Sequence, residues 1–120
     1  MKHLLIVDDM DVMRGVLAAV AREVGFTVTQ AANGQQALER CRAMRFDAIL
    51  SDWNMPIMNG EEFARTLRAT GATVPIIMVT AEADRARVQA LIEIGISGYI
   101  VKPFKVGAVK TALEKLYSRA

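Results

Sequence analysis

Cysteine, histidine and long apolar runs are scarce in this sequence of 120 residues, and each scarcity excludes a class of protein. The single cysteine, Cys41, rules out an internal disulfide, so a reducing compartment is expected. The single histidine, His3, lies beside a strand start and is expected at the surface rather than on a metal. No apolar run approaches the roughly 20 residues that a membrane-spanning helix needs. Asp8 and Asp9 follow the first short apolar run, where a signal peptide would not place them, and we therefore expect a cytoplasmic protein.

Neither sign of charge dominates. The chain has 15 basic and 13 acidic side chains and a formal net charge of +2, and the basic residues are scattered rather than grouped. Scattered charges are typical of a solvated surface, so no nucleic-acid or membrane partner is expected. The length predicts one domain over residues 1–120, with no output domain after its last helix.

Short apolar runs alternate with amphipathic segments of helical length. The runs lie at residues 4–7, 27–29, 48–50, 76–79 and 99–101. Continuously apolar runs are typical of strands buried on both faces, whereas the more polar run at 27–29 suits an edge strand. Five strand–helix units in succession predict an α/β fold, a doubly wound five-stranded parallel sheet with helices on both faces.

Local signals predict where the helices begin and end. The first helix is expected over residues 11–24, with Asp11 as its N-terminal cap and Gly25 at its end. Helical spacing predicts an inward face made of Val12, Val16, Ala19, Val20 and Val24. Asn33 followed by Gln36 resembles a capping box for the second helix.

Polar residues that can take part in chemical reactions or bind ligands lie at the ends of four of the five predicted strands. They are Asp8-Asp9, Asp52, Thr80 and Lys102-Pro103, whereas the second strand ends in two alanines. Each of these residues alone has an ordinary structural explanation: an aspartate can be a turn residue, Thr80 a core hydroxyl and Lys102 a surface lysine. The carboxyl ends of parallel strands share one edge of a sheet, where such folds bind ligands, and we expect these side chains to converge there.

Three converging carboxylates would repel one another unless a cation joined them. Mg²⁺ accepts carboxylates, retains water and shares phosphate oxygens, and an Asp carboxylate can act as a nucleophile toward phosphorus. Lys102 adds a positive charge and Thr80 a hydroxyl, both of which can stabilise a transferred phosphoryl group. The residues therefore predict phosphoryl chemistry at this edge.

At this point a family resemblance becomes visible. The chain resembles the receiver domains of bacterial response regulators, and within them the stand-alone chemotaxis regulators of the CheY type. The matching segments, which together span nearly the whole chain, are 7–9, 51–56 with 59–60, 78–82, 97–99 and 101–104. The resemblance implies a flavodoxin-like strand order 2-1-3-4-5.

The resemblance also implies a role for each site residue. Asp52 would be the phosphoacceptor. Mg²⁺, with Mn²⁺ as a substitute, would be held by Asp8, Asp9, Asp52 and the backbone carbonyl of Asn54. Thr80 and Lys102 would contact the phosphoryl group. Tyr99 would follow Thr80 inward, and the Lys102-Pro103 peptide bond would be cis.

Two further sets of residues follow from the same resemblance. Asn54 and Glu82 would tune dephosphorylation, and their polar side chains predict a short-lived phosphoryl group. The output face, formed by the fourth helix, fifth strand and fifth helix, would include Arg85, Val88, Ile92, Ile96, Tyr99 and Phe104. Ala112 stands where the chemotaxis regulators have a lysine on the motor-binding face, which leaves the partner open.

The implied function is two-component signalling by a monomer. A histidine kinase would supply the phosphoryl group, and the switched face would control a target protein such as the flagellar motor switch in chemotaxis or another effector. The protein would assist its own phosphorylation and autodephosphorylation without being a turnover enzyme.

Other functions stay open at this stage. One is a phosphate sink or shuttle in a phosphorelay. Another is a phosphatase of the haloacid dehalogenase class, although that class has a second Asp where this chain has Asn54. A flavin-binding protein is weaker, because Asp8 and Asp9 would repel a phosphate without a metal.

Overall fold

The computed structural model describes residues 2–81 and 84–119. Strands and helices alternate along the chain in the predicted manner. The elements are β1 (His3–Val7), α1 (Asp11–Val24), β2 (Thr27–Ala31), α2 (Gly34–Ala43), β3 (Ala48–Asp52), α3 (Gly60–Ala69), β4 (Ile76–Thr80), α4 (Arg85–Ile94), β5 (Gly98–Val101) and α5 (Val106–Arg119). Among these described residues, no helix is long and apolar enough to cross a membrane.

The five strands form one parallel sheet in the order β2-β1-β3-β4-β5. This confirms the predicted doubly wound α/β architecture. The polar strand β2 lies at one edge, as expected, and β5 lies at the other. Every residue of β3 and β4 is buried, because helices cover both faces of the sheet centre.

Alternation along the central strands divides the core into two clusters. Leu4 and Ile6 of β1 face the layer that includes Leu17 of α1 and Leu113 of α5. The other cluster combines alternate strand residues with helices α2, α3 and α4, and includes Leu5, Val7, Ile49, Trp53, Phe63, Met78 and Leu91. The period-2 geometry of a strand produces this division, and both layers hold the sheet in place.

The prediction for α1 was wrong in two respects. Met10 occupies the N-cap position without a side-chain cap, and Asp11 is instead the first helical residue. Of the predicted inward residues, Val20 is buried and Val24 packs against the core, but Val12 is 80% exposed, Val16 is 41% exposed and Ala19 is exposed. The other buried residues of the helix are Leu17, Ala18 and Ala21. The helix is apolar on two sides, so its inward face depends on packing rather than on periodicity alone.

Other helix ends follow the chemistry of their sequences. The Asn33 side chain accepts a hydrogen bond from the Gln36 backbone N–H at 2.9 Å, while the Gln36 side chain accepts one from Ala32 rather than from Asn33. Asn59 and Glu62 form a complete capping box at the start of α3.

Candidate phosphorylation and metal site at the carboxyl edge of the sheet

The carboxylates of Asp8, Asp9 and Asp52 meet at the carboxyl edge of the sheet. One oxygen from each lies within 4.8 Å of the others. Asp8 and Asp52 are buried and Asp9 is exposed, so the cluster opens to solvent on one side. The strand register explains the meeting, since Val7 of β1 pairs with Ser51 of β3 and each strand delivers its acid immediately afterwards.

Backbone contacts fix Asp8 at the end of β1. Its N–H donates to the Ala31 carbonyl at 3.1 Å, and its carbonyl accepts from Nη1 of Arg14 at 2.8 Å. One carboxylate oxygen accepts from the Met10 N–H at 2.9 Å, closing the turn before α1. Asp8 is therefore held by the neighbouring strand β2, by Arg14 of α1 and by the turn that leads into that helix.

Lys102 approaches the cluster from the end of β5. Its ammonium nitrogen donates to Oδ1 of Asp52 at 3.1 Å, and its side chain is partly exposed while Asp52 is almost fully buried. The Lys102 backbone N–H donates to the Thr80 carbonyl at 2.8 Å, and the Lys102–Pro103 peptide bond is cis. The Lys102 ammonium thus reaches the buried carboxylate of Asp52.

Burial dominates the electrostatics of the two inner acids. Removal from water raises the pKa of Asp52 above its ordinary value, and the hydrogen bond from Lys102 only partly offsets this. Burial also raises the pKa of Asp8, with the Met10 hydrogen bond opposing and the charge on Asp52 adding to the rise. A site that penalises its own negative charges is suited to binding a cation.

The donor set fits a hard divalent cation. All three clustered side chains offer carboxylate oxygen, the ligand type that Mg²⁺ prefers, and the cluster's solvent-facing side leaves room for bound water.

Thr80 and Tyr99, the two residues expected to move on switching, differ in exposure. Thr80 ends β4 and is fully buried, one position beyond the residue that pairs with Asp52. Tyr99 of β5 is 46% exposed and pairs with Met78. Tyr99 is therefore accessible to solvent in this structure.

The residues predicted for the output face are unequally exposed. Arg85, Ile92 and Tyr99 are exposed, whereas Val88, Ile96 and Phe104 are half-buried. Ile96 and Phe104 pack against the two core clusters, so part of their surface belongs to the fold. Asn54 is exposed beside the site, and Glu82 lies outside the described residues.

The side chain of Trp53 is buried next to the site. It is 6% exposed, and the guanidinium carbon of Arg87 lies 4.7 Å from its ring centroid. This contact could not be predicted from the sequence, because the two residues are far apart in the chain and meet only in the folded protein.

Gly60 allows the active-site loop to close tightly. A Cβ at Gly60 would lie 2.3 Å from the Asp52 carbonyl oxygen and 2.8 Å from Sδ of Met78. The Gly60 N–H donates to the Trp53 carbonyl at 2.8 Å. Only glycine fits where α3 approaches the end of β3 this closely.

A parallel 2-1-3-4-5 sheet with this acidic cluster, a buried aspartate and a lysine at its carboxyl edge defines a class of signalling domain. The chain belongs to the response regulator receiver domain family, which it matches over residues 4–114. It is a receiver domain of two-component signalling and resembles CheY.

Individual relatives agree over nearly the full length. The chain is 40% identical over 119 residues to the chemotaxis protein CheY of Pseudomonas aeruginosa, covering 97% of this chain and 96% of that protein. It is 39% identical to chemotaxis protein CheY-3 of Vibrio cholerae, covering 97% and 92%. These identities show the family independently of the geometry.

Solved structures show the same architecture. Chemotaxis protein CheY4 of Vibrio cholerae superposes with a TM-score of 0.89 at 34% identity, over 97% of this chain and 98% of that one. The receiver domain of the Francisella response regulator 1452 superposes with a TM-score of 0.91 at 25% identity, over 99% and 98%.

Proposed function

We propose that this receiver domain accepts a phosphoryl group on Asp52 from a histidine kinase and thereby switches its α4-β5-α5 face. The observation that carries the proposal is the buried Asp52 carboxylate, which has the Lys102 ammonium at 3.1 Å and two further carboxylates within 4.8 Å. No other clustered group of three acids, cysteines or histidines is present among the described residues.

In the transfer step, a carboxylate oxygen of Asp52 forms a bond to phosphorus while the bond from phosphorus to the donor imidazole nitrogen breaks. Asp8, Asp9, Asp52 and the Asn54 carbonyl would hold Mg²⁺, which supplies positive charge for the phosphoryl oxygens. Lys102 neutralises further charge, and its contact with Asp52 places it beside the reacting oxygen.

The switch depends on new acceptors at Asp52. A phosphoryl group adds about −1.5 to −2 charge units and three acceptor oxygens. The Thr80 hydroxyl at the end of β4 and the Lys102 ammonium after β5 would donate to these oxygens. Hydrogen bonds to charged oxygens contribute about 1.5–3 kcal/mol each. Shifting a two-state domain from about 1:99 to 99:1 needs roughly 5.5 kcal/mol, which a few such bonds approach.

The downstream partner would be a protein that reads the exposed part of this face. The named relatives are chemotaxis proteins, so a flagellar motor switch is the first target to test, with other effectors as alternatives. The half-exposed Tyr99 would turn inward as Thr80 moves toward the phosphoryl group, changing the surface that the partner meets.

The decisive experiment combines the protein with Mg²⁺ and acetyl phosphate and measures intact mass. We expect one phosphoryl adduct on the wild type and none on Asp52→Asn. Asp47→Asn is the matched control, because Asp47 lies at the opposite end of the sheet and binds the His3 backbone. An adduct that persists in Asp52→Asn would refute Asp52 as the phosphoacceptor.

The lifetime of the adduct tests the roles of Asn54 and Glu82. Polar flanks admit and position water, so we expect rapid loss of the phosphoryl group from the wild type and slower loss from Asn54→Ala. A wild-type half-life of many hours that Asn54→Ala leaves unchanged would contradict these roles.

A further inference from the structure

Trp53 directly follows the phosphoacceptor and is anchored on both sides. Its N–H donates to the Val79 carbonyl of β4 at 2.8 Å, and its carbonyl accepts from Gly60 of α3 at 2.8 Å. Its side chain belongs to the core cluster that also contains Met78 and Phe63. Because its backbone and ring are both fixed, Trp53 provides a rigid surface one residue away from the site of added charge.

Arg87 places a cation on that surface from helix α4. Its guanidinium carbon lies 4.7 Å from the Trp53 ring centroid, within the range of a cation–π interaction. Arg87 shares its helix face with Leu91 and Ile94, which are both buried. The inward stripe of α4 therefore begins with a charged group next to the active site rather than with an aliphatic residue.

The other end of α4 is held by directional bonds. Nε of Arg68 donates to the Ile94 carbonyl at 3.2 Å, and Nη2 donates to the Gly95 carbonyl at 3.1 Å. These bonds attach the C-terminal end of α4 to α3. At the N-terminal end, the contact of Arg87 with the Trp53 ring joins α4 to the residue that follows Asp52.

We propose that Arg87 is a positioning residue that transmits the charge state of Asp52 to α4 through its contact with Trp53. This inference rests on the proposed function. The added negative charge draws the guanidinium toward the site across the edge of the Trp53 ring. The attached helix turn moves with it, and Arg85 and Val88 on the outward side of that turn change position. Arg87 itself does not contact the phosphoryl group.

Hydrogen exchange measured by mass spectrometry tests the coupling. Peptides covering α4 are compared before and after activation with beryllofluoride and Mg²⁺, in the wild type, Arg87→Met, Arg87→Lys and Gln89→Ala. Gln89 is exposed on the same helix and serves as the matched control. Arg87→Met keeps an aliphatic chain of similar length but removes the cation.

We expect activation to change α4 exchange in the wild type and in Gln89→Ala alike. In Arg87→Met the equilibrium between the two α4 states should respond roughly 2- to 30-fold less, the range that a cation–π contact represents. Arg87→Lys should recover part of the response, because it restores the charge. A purely structural role would alter exchange equally with and without activation, and would leave the difference between them intact.

A full α4 response in Arg87→Met, with normal adduct formation on Asp52, would overturn the inference and leave the proposed function standing. If Arg87→Met fails to fold, Trp53→Phe decides, because a smaller ring binds a cation more weakly and should reduce the α4 response. An unchanged response in Trp53→Phe would equally overturn it. Failure of the wild type to form any adduct would overturn the proposed function and this inference together.

Discussion

The ammonium nitrogen of Lys102 lies 3.1 Å from Oδ1 of Asp52, and this ion pair spans β4 to join the end of β5 to the end of β3. Because Asp52 is 4% exposed, its charge has little compensation from water. Among the described side chains, Lys102 provides the positive charge that pairs with this carboxylate.

Replacing Lys102 with Met should slow phosphorylation of Asp52. Removal of a donor to developing charge costs roughly 100-fold in rate, and the carboxylate would also lose the hydrogen bond that lowers its pKa. Initial rates of adduct formation from acetyl phosphate measure the effect. The control is Lys115→Met, because Lys115 is an exposed residue of α5. Equal rates for the two variants would contradict a role for Lys102.

The convergence of the polar residues that end the strands could be predicted from the sequence, because it depends only on strand direction. Once the apolar runs identify parallel strands, the residues that end them must share one edge. The roles of Arg68 and Arg87 could not be predicted this way, since Arg68 reaches carbonyls 26 and 27 positions away. The inward face of α1 was mispredicted because Val12 and Val16 carry a stronger apolar signal than Ala18 and Ala21.

Neutralising Asp8 should stabilise the metal-free protein. Its folded-state pKa is raised, so the folded protein holds this proton more tightly than the unfolded chain does. Stability from the protonated form is present at low pH and is lost as pH rises through the folded pKa. Asp8→Asn should therefore have a higher free energy of unfolding than the wild type near pH 8, with a smaller gain near pH 4.

Urea denaturation at both pH values, with and without Mg²⁺, measures this effect. Mg²⁺ should stabilise the wild type more than Asp8→Asn, because the variant has one carboxylate fewer in the cluster. Asp11→Asn is the control, as its side chain is 88% exposed. A variant that is less stable than the wild type near pH 8 would contradict a destabilising charge on the buried Asp8.

Gly60→Ala should destabilise the fold strongly. The added Cβ would overlap the Asp52 carbonyl oxygen at 2.3 Å, and backbone cannot yield as a flexible side chain can. We expect a loss of about 2–4 kcal/mol in free energy of unfolding. Gly15→Ala in α1 is the control, because nothing lies within 4 Å of its Cβ and helix propensity predicts a gain of up to about 1 kcal/mol. Similar denaturation midpoints for the two variants would be incompatible with the close approach at Gly60.

Cys41 should react slowly with thiol reagents in the folded protein. Burial raises the pKa of its thiol from an ordinary value of 9.0 to about 11, so the reactive thiolate becomes roughly 100-fold scarcer below pH 9. Labelling with a disulfide reagent near pH 8, in native buffer and in urea, compares the two states. Equal rates in both would show that the thiol is not shielded.

Ile57 has a positive φ of 69° in the active-site loop, a conformation that β-branched residues rarely adopt. Ile57 is 81% exposed, so packing contacts of its side chain offset little of this strain. Ile57→Asn should raise the free energy of unfolding by about 1 kcal/mol, because asparagine tolerates positive φ better. Ile57→Val keeps the branching at Cβ and should stay within about 0.5 kcal/mol of the wild type. Urea denaturation of the three proteins distinguishes the cases. If Ile57→Asn and Ile57→Val unfold at the same midpoint, strain at this position does not limit the stability of the loop.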